Sequence, residues 1–156
     1  MVGKLTEIQI DELLERQIVG RIGCSSNNKI YVVPISYAYE GNSIYAHTYE
    51  GMKIDAMRAN PEVCFEVDDY GDMANWQSVI AWGRYEEITD PADRVAAIQI
   101  LLHRNLPMRS SETTHIGKHW PFYADNETID GIVFRIVITE KNGRYESYSN
   151  SAKISG

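Results

Sequence analysis

The chain has 156 residues, 44% hydrophobic and 24% charged, which suits one globular domain over residues 1–156 with room for a sizeable core. Fifteen basic against 22 acidic residues leave a net charge of −7, which argues against a surface that tracks nucleic-acid phosphates. No stretch approaches the ~20 apolar residues that span a bilayer, MVGKLTEIQI lacks the apolar block of a secretory leader, and only Cys24 and Cys64 occur, at no metal-ligand spacing; the expectation is a cytoplasmic protein with neither membrane nor nucleic acid as partner.

In chain order, Thr6 followed by Gln9 marks a capping box, and Ile8, Leu13 and Leu14 suit a short amphipathic helix ending near Arg16. QIVGRIGCS reads as a strand. KIYVVPISYAYE is the clearest strand in the chain: Tyr31, Val33, Ile35, Tyr37 and Tyr39 fall on one face at period two. EGN turns it into SIYAHT, making a hairpin. Gly51 then opens a short helix that stops at Asn60-Pro61. EVCFEVDD and WQSVIAWGRYEEIT are two further strands, predicted to be joined by an acidic loop. Asp90 caps a helix over DPADRVAAIQILLHRN, with Pro91 at its first position and Asp93 in its first turn. A polar, irregular stretch from Pro107 to Asp130 precedes the last strand, GIVFRIVITE. Six antiparallel strands and about three short helices predict an α+β chain, mainly β, forming a small closed or half-open barrel.

Four features carry chemistry. Pro34 interrupts the best strand, where it cannot donate to a ladder; this implies an edge or a bulge with backbone groups open to water or a ligand. His47 lies one hairpin away, readable as a structural histidine or a proton-transfer group. Gly51 opens the next helix with Lys53 in its first turn, a place where free N–H groups and the helix dipole favour an anion; alone, Lys53 also reads as an ordinary solvated lysine. The three belong to consecutive elements and can surround one ligand. His115 and His119 stand four apart, but Gly117 weakens a helix there and no Glu follows the first His, so no metal site is expected. Walker, Rossmann and nucleophile-elbow motifs are absent. Trp76, Ile80 and Trp82 share one strand face, an apolar patch that predicts a homodimer.

The ordered series YVVPISYAYEGNSIYAHTYEGMKIDAMRANPEVCFEVDD…WQSVIAWGRYEEITD resembles the pyridoxamine 5′-phosphate oxidase-like superfamily of FMN-binding split barrels, nearest its nitroimidazole-resistance-type, or flavin-nucleotide-binding, branch. The likeness covers roughly residues 5 to 105, and VFRIVITEKNGR is also in register. It implies a six-stranded antiparallel split barrel of Greek-key type, FMN as cofactor, and a homodimer with the flavin at its two-fold interface. By position, Lys53 would hold the FMN phosphate, with backbone contacts from Gly51 and Met52. Val33, Pro34, Ile35 and Ser36 would line the isoalloxazine edge. His47 and Thr48 would flank the ring and ribityl chain, Ser78 would approach from the facing strand, and Trp120 would reach towards the other subunit. Vitamin oxidases carry a second cation beside the lysine and an arginine-bearing final strand; here Met52 and a YSNSAKISG tail stand instead. The resemblance therefore points away from vitamin oxidation and towards reduction of a small aromatic acceptor, such as a nitro-aromatic compound, with His47 as catalytic acid. A non-catalytic flavin or haem carrier or sensor is the alternative, the histidines between 103 and 119 favouring haem; the electron donor, NADH, NADPH or another, stays open.

Overall fold

A computed structural model of the chain describes residues 1–104 and 130–148. The three expected helices form where their capping residues place them. α1 (Glu7–Arg16) begins with a reciprocal pair: Thr6 Oγ1 accepts from the Gln9 amide at 3.2 Å, and Gln9 Oε1 accepts from the Thr6 amide at 2.9 Å. Its buried stripe is Ile10, Leu13 and Leu14, at i, i+3 and i+4, whereas Ile8 faces solvent, which corrects the expected stripe. α2 spans Met52–Ala59, and α3 spans Pro91–Leu102 behind Asp90, whose carboxylate accepts from the Asp93 amide.

Among the described residues eight strands form rather than six: β1 (Val2–Lys4), β2 (Val19–Ser26), β3 (Lys29–Ser36), β4 (Ala38–Glu40), β5 (Ser43–Thr48), β6 (Glu62–Asp72), β7 (Asn75–Glu87) and β8 (Ile132–Glu146). All pairings are antiparallel, in the order β3-β2-β6-β7-β8-β5-β4, with β1 added to the far end of β8. The expected strand KIYVVPISYAYE is broken at Tyr37. Its first half pairs with β2 and its second with β5, so one run of sequence supplies both edges of the sheet. At the break the Tyr37 amide donates to the Ile18 carbonyl, and its buried hydroxyl donates to the Leu14 carbonyl at 2.7 Å. The chain therefore turns from one edge to the other while anchored to the end of α1. The expected acidic loop is also strand: β6 continues through Asp69 to a bulge near Gly71, and Asp72 tightens a two-residue turn by accepting from the Ala74 amide. The EGN turn forms as expected, with Gly41 and Asn42 both at positive φ, the conformation a tight hairpin requires.

The inward faces form the core. Ile22, Phe65, Val79, Ala81, Ile44, Ala46, Phe134 and Ile136 are fully buried, joined by Leu13 and Leu14 from α1 and Ile54 and Met57 from α2. Each of the Val, Leu, Ile, Met and Phe side chains among them contributes roughly 1.5–3 kcal/mol relative to exposure. The predicted stripe holds: Tyr31, Val33, Ile35, Tyr37 and Tyr39 are buried or half-buried, while Ile30, Val32, Pro34 and Ser36 between them are exposed. α3 packs on the opposite face of β8, where Ala97 and Ile98 meet Val133. At Gly83, where the β7–β8 register shifts, an added Cβ would lie 2.3 Å from the Val137 carbonyl oxygen, so only glycine allows that approach.

Candidate functional site

β5 runs into α2 through Tyr49, Glu50 and Gly51. Arg58, in the last turn of α2, holds this connection: it donates to both carboxylate oxygens of Glu50, at 2.9 and 3.0 Å, and to Glu87 at 2.8 Å. Glu87 also accepts from the Tyr85 hydroxyl at 2.8 Å. The guanidinium holds the Glu87 carboxyl below its ordinary range, and the same contacts raise Arg58. The clamp fixes the start of α2 relative to the barrel. At that start Gly51 makes no side-chain cap, and its carbonyl accepts from Asp55 at 3.1 Å. Gly51 and Met52 are exposed and Lys53 is half-buried. Uncapped first-turn amides with an adjacent ammonium are a donor set that suits a phosphate.

His47 sits on the face of β5 opposite Ile44 and Ala46, paired across the ladder with Val133. Its Nε2 lies 2.6 Å from the Asp130 carbonyl oxygen, and its ring meets Tyr49 edge-on, with centroids 5.5 Å apart and planes at 78°. Burial lowers its pKa below the ordinary 6.5; the Asp130 carbonyl opposes that shift and Arg94 of α3 adds to it. Gly131, at φ +97°, makes the fit possible: a Cβ there would lie 2.7 Å from the Thr48 carbonyl oxygen and 2.8 Å from His47 Nε2. Thr48 is half-buried at the end of β5.

The Val33–Ser36 segment forms the outer part of edge strand β3, with Val33 and Ile35 turned inward and Pro34 and Ser36 outward. Pro34 lacks a donor, as expected at an edge. β3 and β5 approach each other across the split, so the proline strand and the histidine strand are neighbours. Lys53 lies on the β2 side, close enough to Cys24 for its charge to oppose the burial that raises that thiol. The described partners of His47, by contrast, are on the Gly131 and α3 side.

Ser78 lies on β7, three strands from β3, and its hydroxyl donates to Glu66 Oε1 at 3.3 Å. There it joins a cluster that sequence reasoning missed. Pro34, Arg21, Glu66 and Ile80 pair successively across β3, β2, β6 and β7. Arg21 reaches Glu66 at 3.2 Å and Asp68 at 3.4 Å. Burial raises the Glu66 carboxyl, and the neighbouring Asp68 raises it further against the pull of Arg21. Alternation along KIYVVPISYAYE marked the outward positions of β3, but only the register shows which residues of other strands stand beside them. His115, His119 and Trp120 lie outside the described residues. Among the described residues no cluster of three or more His, Cys, Asp or Glu is placed to hold a metal, and no helix is long and apolar enough to cross a membrane.

Comparison with known proteins gives a consistent picture. An FAD-binding protein from Mesorhizobium loti is 32% identical, with a TM-score of 0.72 over 94% of this chain and 99% of that one. A candidate 5-nitroimidazole antibiotic resistance protein from Bacteroides thetaiotaomicron has the same fold at 17% identity, with a TM-score of 0.72 over 93% of this chain and 87% of that one. An FAD-binding protein from Mycobacterium smegmatis matches at 24% identity and a TM-score of 0.65, over 93% and 98% of the two chains. An uncharacterized protein of Rhizobium meliloti is 39% identical over 70 residues, which take in 45% of this chain and 46% of that protein, under half its length. The sequence profile of the pyridoxamine 5′-phosphate oxidase family matches residues 6–145, from the capping threonine of α1 almost to the end of β8. On that match, the chain belongs to the pyridoxamine 5′-phosphate oxidase family.

Proposed function

We propose that this protein is a flavin-dependent oxidoreductase that holds the FMN portion of its cofactor beside the β5–α2 unit and reduces a small aromatic acceptor, such as a nitro-aromatic compound, as a cytoplasmic homodimer. The observation that carries the reading is the start of α2: a glycine N-cap with no side-chain cap, the exposed Gly51 and Met52 and the half-buried Lys53, a short turn after the strand that bears His47. FAD binding by the 32%-identical relative supports a flavin in the same fold.

In this reading the flavin supplies the two-electron chemistry. The chain binds and orients it. Lys53 and the Gly51–Lys53 backbone neutralise the phosphate. The Val33–Ser36 edge offers main-chain groups to the isoalloxazine, Thr48 borders the ribityl chain, and Ser78 reaches the ring from β7. His47 holds its Nε2 proton against the Asp130 carbonyl, so Nδ1 is the ring position that takes up or gives a proton to the acceptor. Because burial keeps the ring neutral around pH 7, donation through Nδ1 grows as the solution is acidified.

The test is a visible spectrum of the purified protein before and after addition of FMN. It is followed by single-turnover oxidation of the chemically reduced protein by a nitro-aromatic acceptor. A bound-flavin spectrum with acceptor-dependent reoxidation faster than that of free reduced flavin supports the proposal. A Soret band, or flavin that reoxidises no faster than free flavin, sinks the oxidoreductase reading.

A further inference from the structure

Ser78 and Glu66 stand half-buried on the outward face of the sheet, on the neighbouring strands β7 and β6. Ser78 pairs across the ladder with Asp68, yet its hydroxyl turns diagonally and donates to Glu66 Oε1 at 3.3 Å. Glu66 and Asp68 are two apart on β6 and so share that face. One guanidinium nitrogen of Arg21 serves both, reaching Glu66 Oε2 at 3.2 Å and Asp68 Oδ2 at 3.4 Å. The strands on the far side bring Arg144 of β8, opposite Ser78, and then Lys4 of β1, opposite Arg144. Further along β6 come Cys64 and Glu62, the latter held by Arg84, while the outward Pro34 and Ser36 of β3 carry no charge. Two carboxylates on one bridging cation leave surplus negative charge, the condition under which one carboxyl keeps its proton to higher pH. Burial and Asp68 push Glu66 that way, and Arg21 opposes them.

We infer that Glu66 is a positioning residue of the flavin site: supported by Arg21 and Asp68, it decides whether the Ser78 hydroxyl accepts from or donates to the isoalloxazine. This rests on the flavin-binding reading above, in which Ser78 reaches the ring. A hydroxyl has a single hydrogen. While Glu66 is a carboxylate, that hydrogen is committed to it, and Ser78 meets a ligand only as an acceptor. Once Glu66 takes up a proton, its own O–H turns to Asp68, and the Ser78 hydrogen is released to face outward. Two electrons from a reductant such as dithionite add negative charge at the ring, which favours a donating Ser78 and a neutral Glu66. The proton comes from solvent past the half-buried Asp68, and Glu66 passes from COO⁻ to COOH. When an acceptor removes the electrons, the same proton returns to solvent. Electron uptake is thereby tied to proton uptake at a carboxyl on β6, separate from His47, whose ring meets Asp130 and Tyr49.

The test has two parts, with circular dichroism to check that each variant folds. In the flavin-free full chain, the Glu66 carboxyl carbon is followed by NMR as pH is varied. It should titrate above the ordinary carboxylate range, and Ser78→Ala should move it higher still, because the lost donor favours the charged form. The FMN-loaded chain is then titrated with dithionite against a reference dye from about pH 5 to 8. Where Glu66 is ionised in the oxidised protein and neutral in the reduced one, the parent should take up about one more proton per electron pair than Glu66→Gln. Ser78→Ala should lose part of that difference. A Glu66 that titrates in the ordinary range, or a midpoint potential with the same pH slope in parent and Glu66→Gln, overturns the inference while leaving the flavin reading intact. A parent that binds no FMN overturns both.

Discussion

His47 and Asp130 stand 83 residues apart in sequence, yet the imidazole Nε2 lies 2.6 Å from the Asp130 main-chain oxygen. A carbonyl only accepts, so the neutral ring carries its proton on Nε2. Burial holds the folded pKa below 6.5, and the unfolded chain therefore takes up the proton first as pH falls. The stability linked to the neutral ring is complete above pH 6.5 and is lost as pH falls through the depressed folded value. The melting temperature of the parent should drop on mild acidification, and His47→Gln should drop less. Parallel curves would show that burial of this ring has no such linkage.

Lys53→Ala should weaken FMN binding. A charge-assisted contact contributes about 1.5–3 kcal/mol, which corresponds to roughly ten- to a hundred-fold in affinity. Riboflavin lacks the phosphate and should bind parent and variant alike. An FMN dissociation constant that does not move would make Lys53 a solvated lysine.

Gly131→Ala adds a methyl group against Thr48 and His47 at a backbone angle that favours glycine. The expected cost is about 1–3 kcal/mol, read as a lower urea midpoint. Because the methyl displaces the His47 ring from Asp130, the pH dependence of stability should flatten in the same variant. A variant with the stability and pH profile of the parent would show that the loop yields freely.

Ile30 (80% exposed), Val32 (63%), Ile80 (40%) and Trp82 (38%) all emerge on the outward face of the sheet. Such a patch suits burial against a second copy. Sedimentation equilibrium at micromolar protein should give twice 17.8 kDa for the parent, and Trp82→Asp should shift it towards monomer. A parent that sediments as one chain refutes the dimer.

Tyr37→Phe removes a buried donor from the Leu14 carbonyl near the C-terminal end of α1. Loss of about 1–3 kcal/mol is expected, since the carbonyl stays buried without that partner. Equilibrium unfolding of the two proteins decides it.

Local signals carried much of the architecture. Thr6 with Gln9, and Asp90 with Pro91, announce helix starts because capping is settled within four residues. Alternation along β3 and β7 revealed which faces are buried. The break at Tyr37 was hidden for a physical reason: Tyr37 and Tyr39 point inward in either half, so the period never changes. β1 is three residues long and has no pattern of its own; only its pairing with β8 makes it a strand. Asp68 and Asp69 read as strand and face Arg21 and Arg16, whereas the stretch after them read as an acidic loop; β6 runs on to Asp72, whose carboxylate caps a two-residue turn, because only the pairing with β7 extends the hairpin that far. Of the candidate site, the β5–α2 unit was visible because it is contiguous. The Asp130 contact to His47, the Arg58 clamp across Glu50 and Glu87, and the carboxylates around Arg21 depend on long-range pairing that no local pattern encodes.

Pro34 also bears on how this sheet avoids self-association. A split sheet has two open edges, and an open edge is a template on which another chain can aggregate. Among the described residues, one edge here is β4, only three residues long. The other is β3, eight residues long, and its hydrogen-bonding row is interrupted by the proline at its sixth position. Replacing that proline with valine would give an uninterrupted Tyr-Val-Val-Val-Ile edge of high β propensity. By withholding an N–H from this edge, Pro34 makes β3 a poorer template for a further strand.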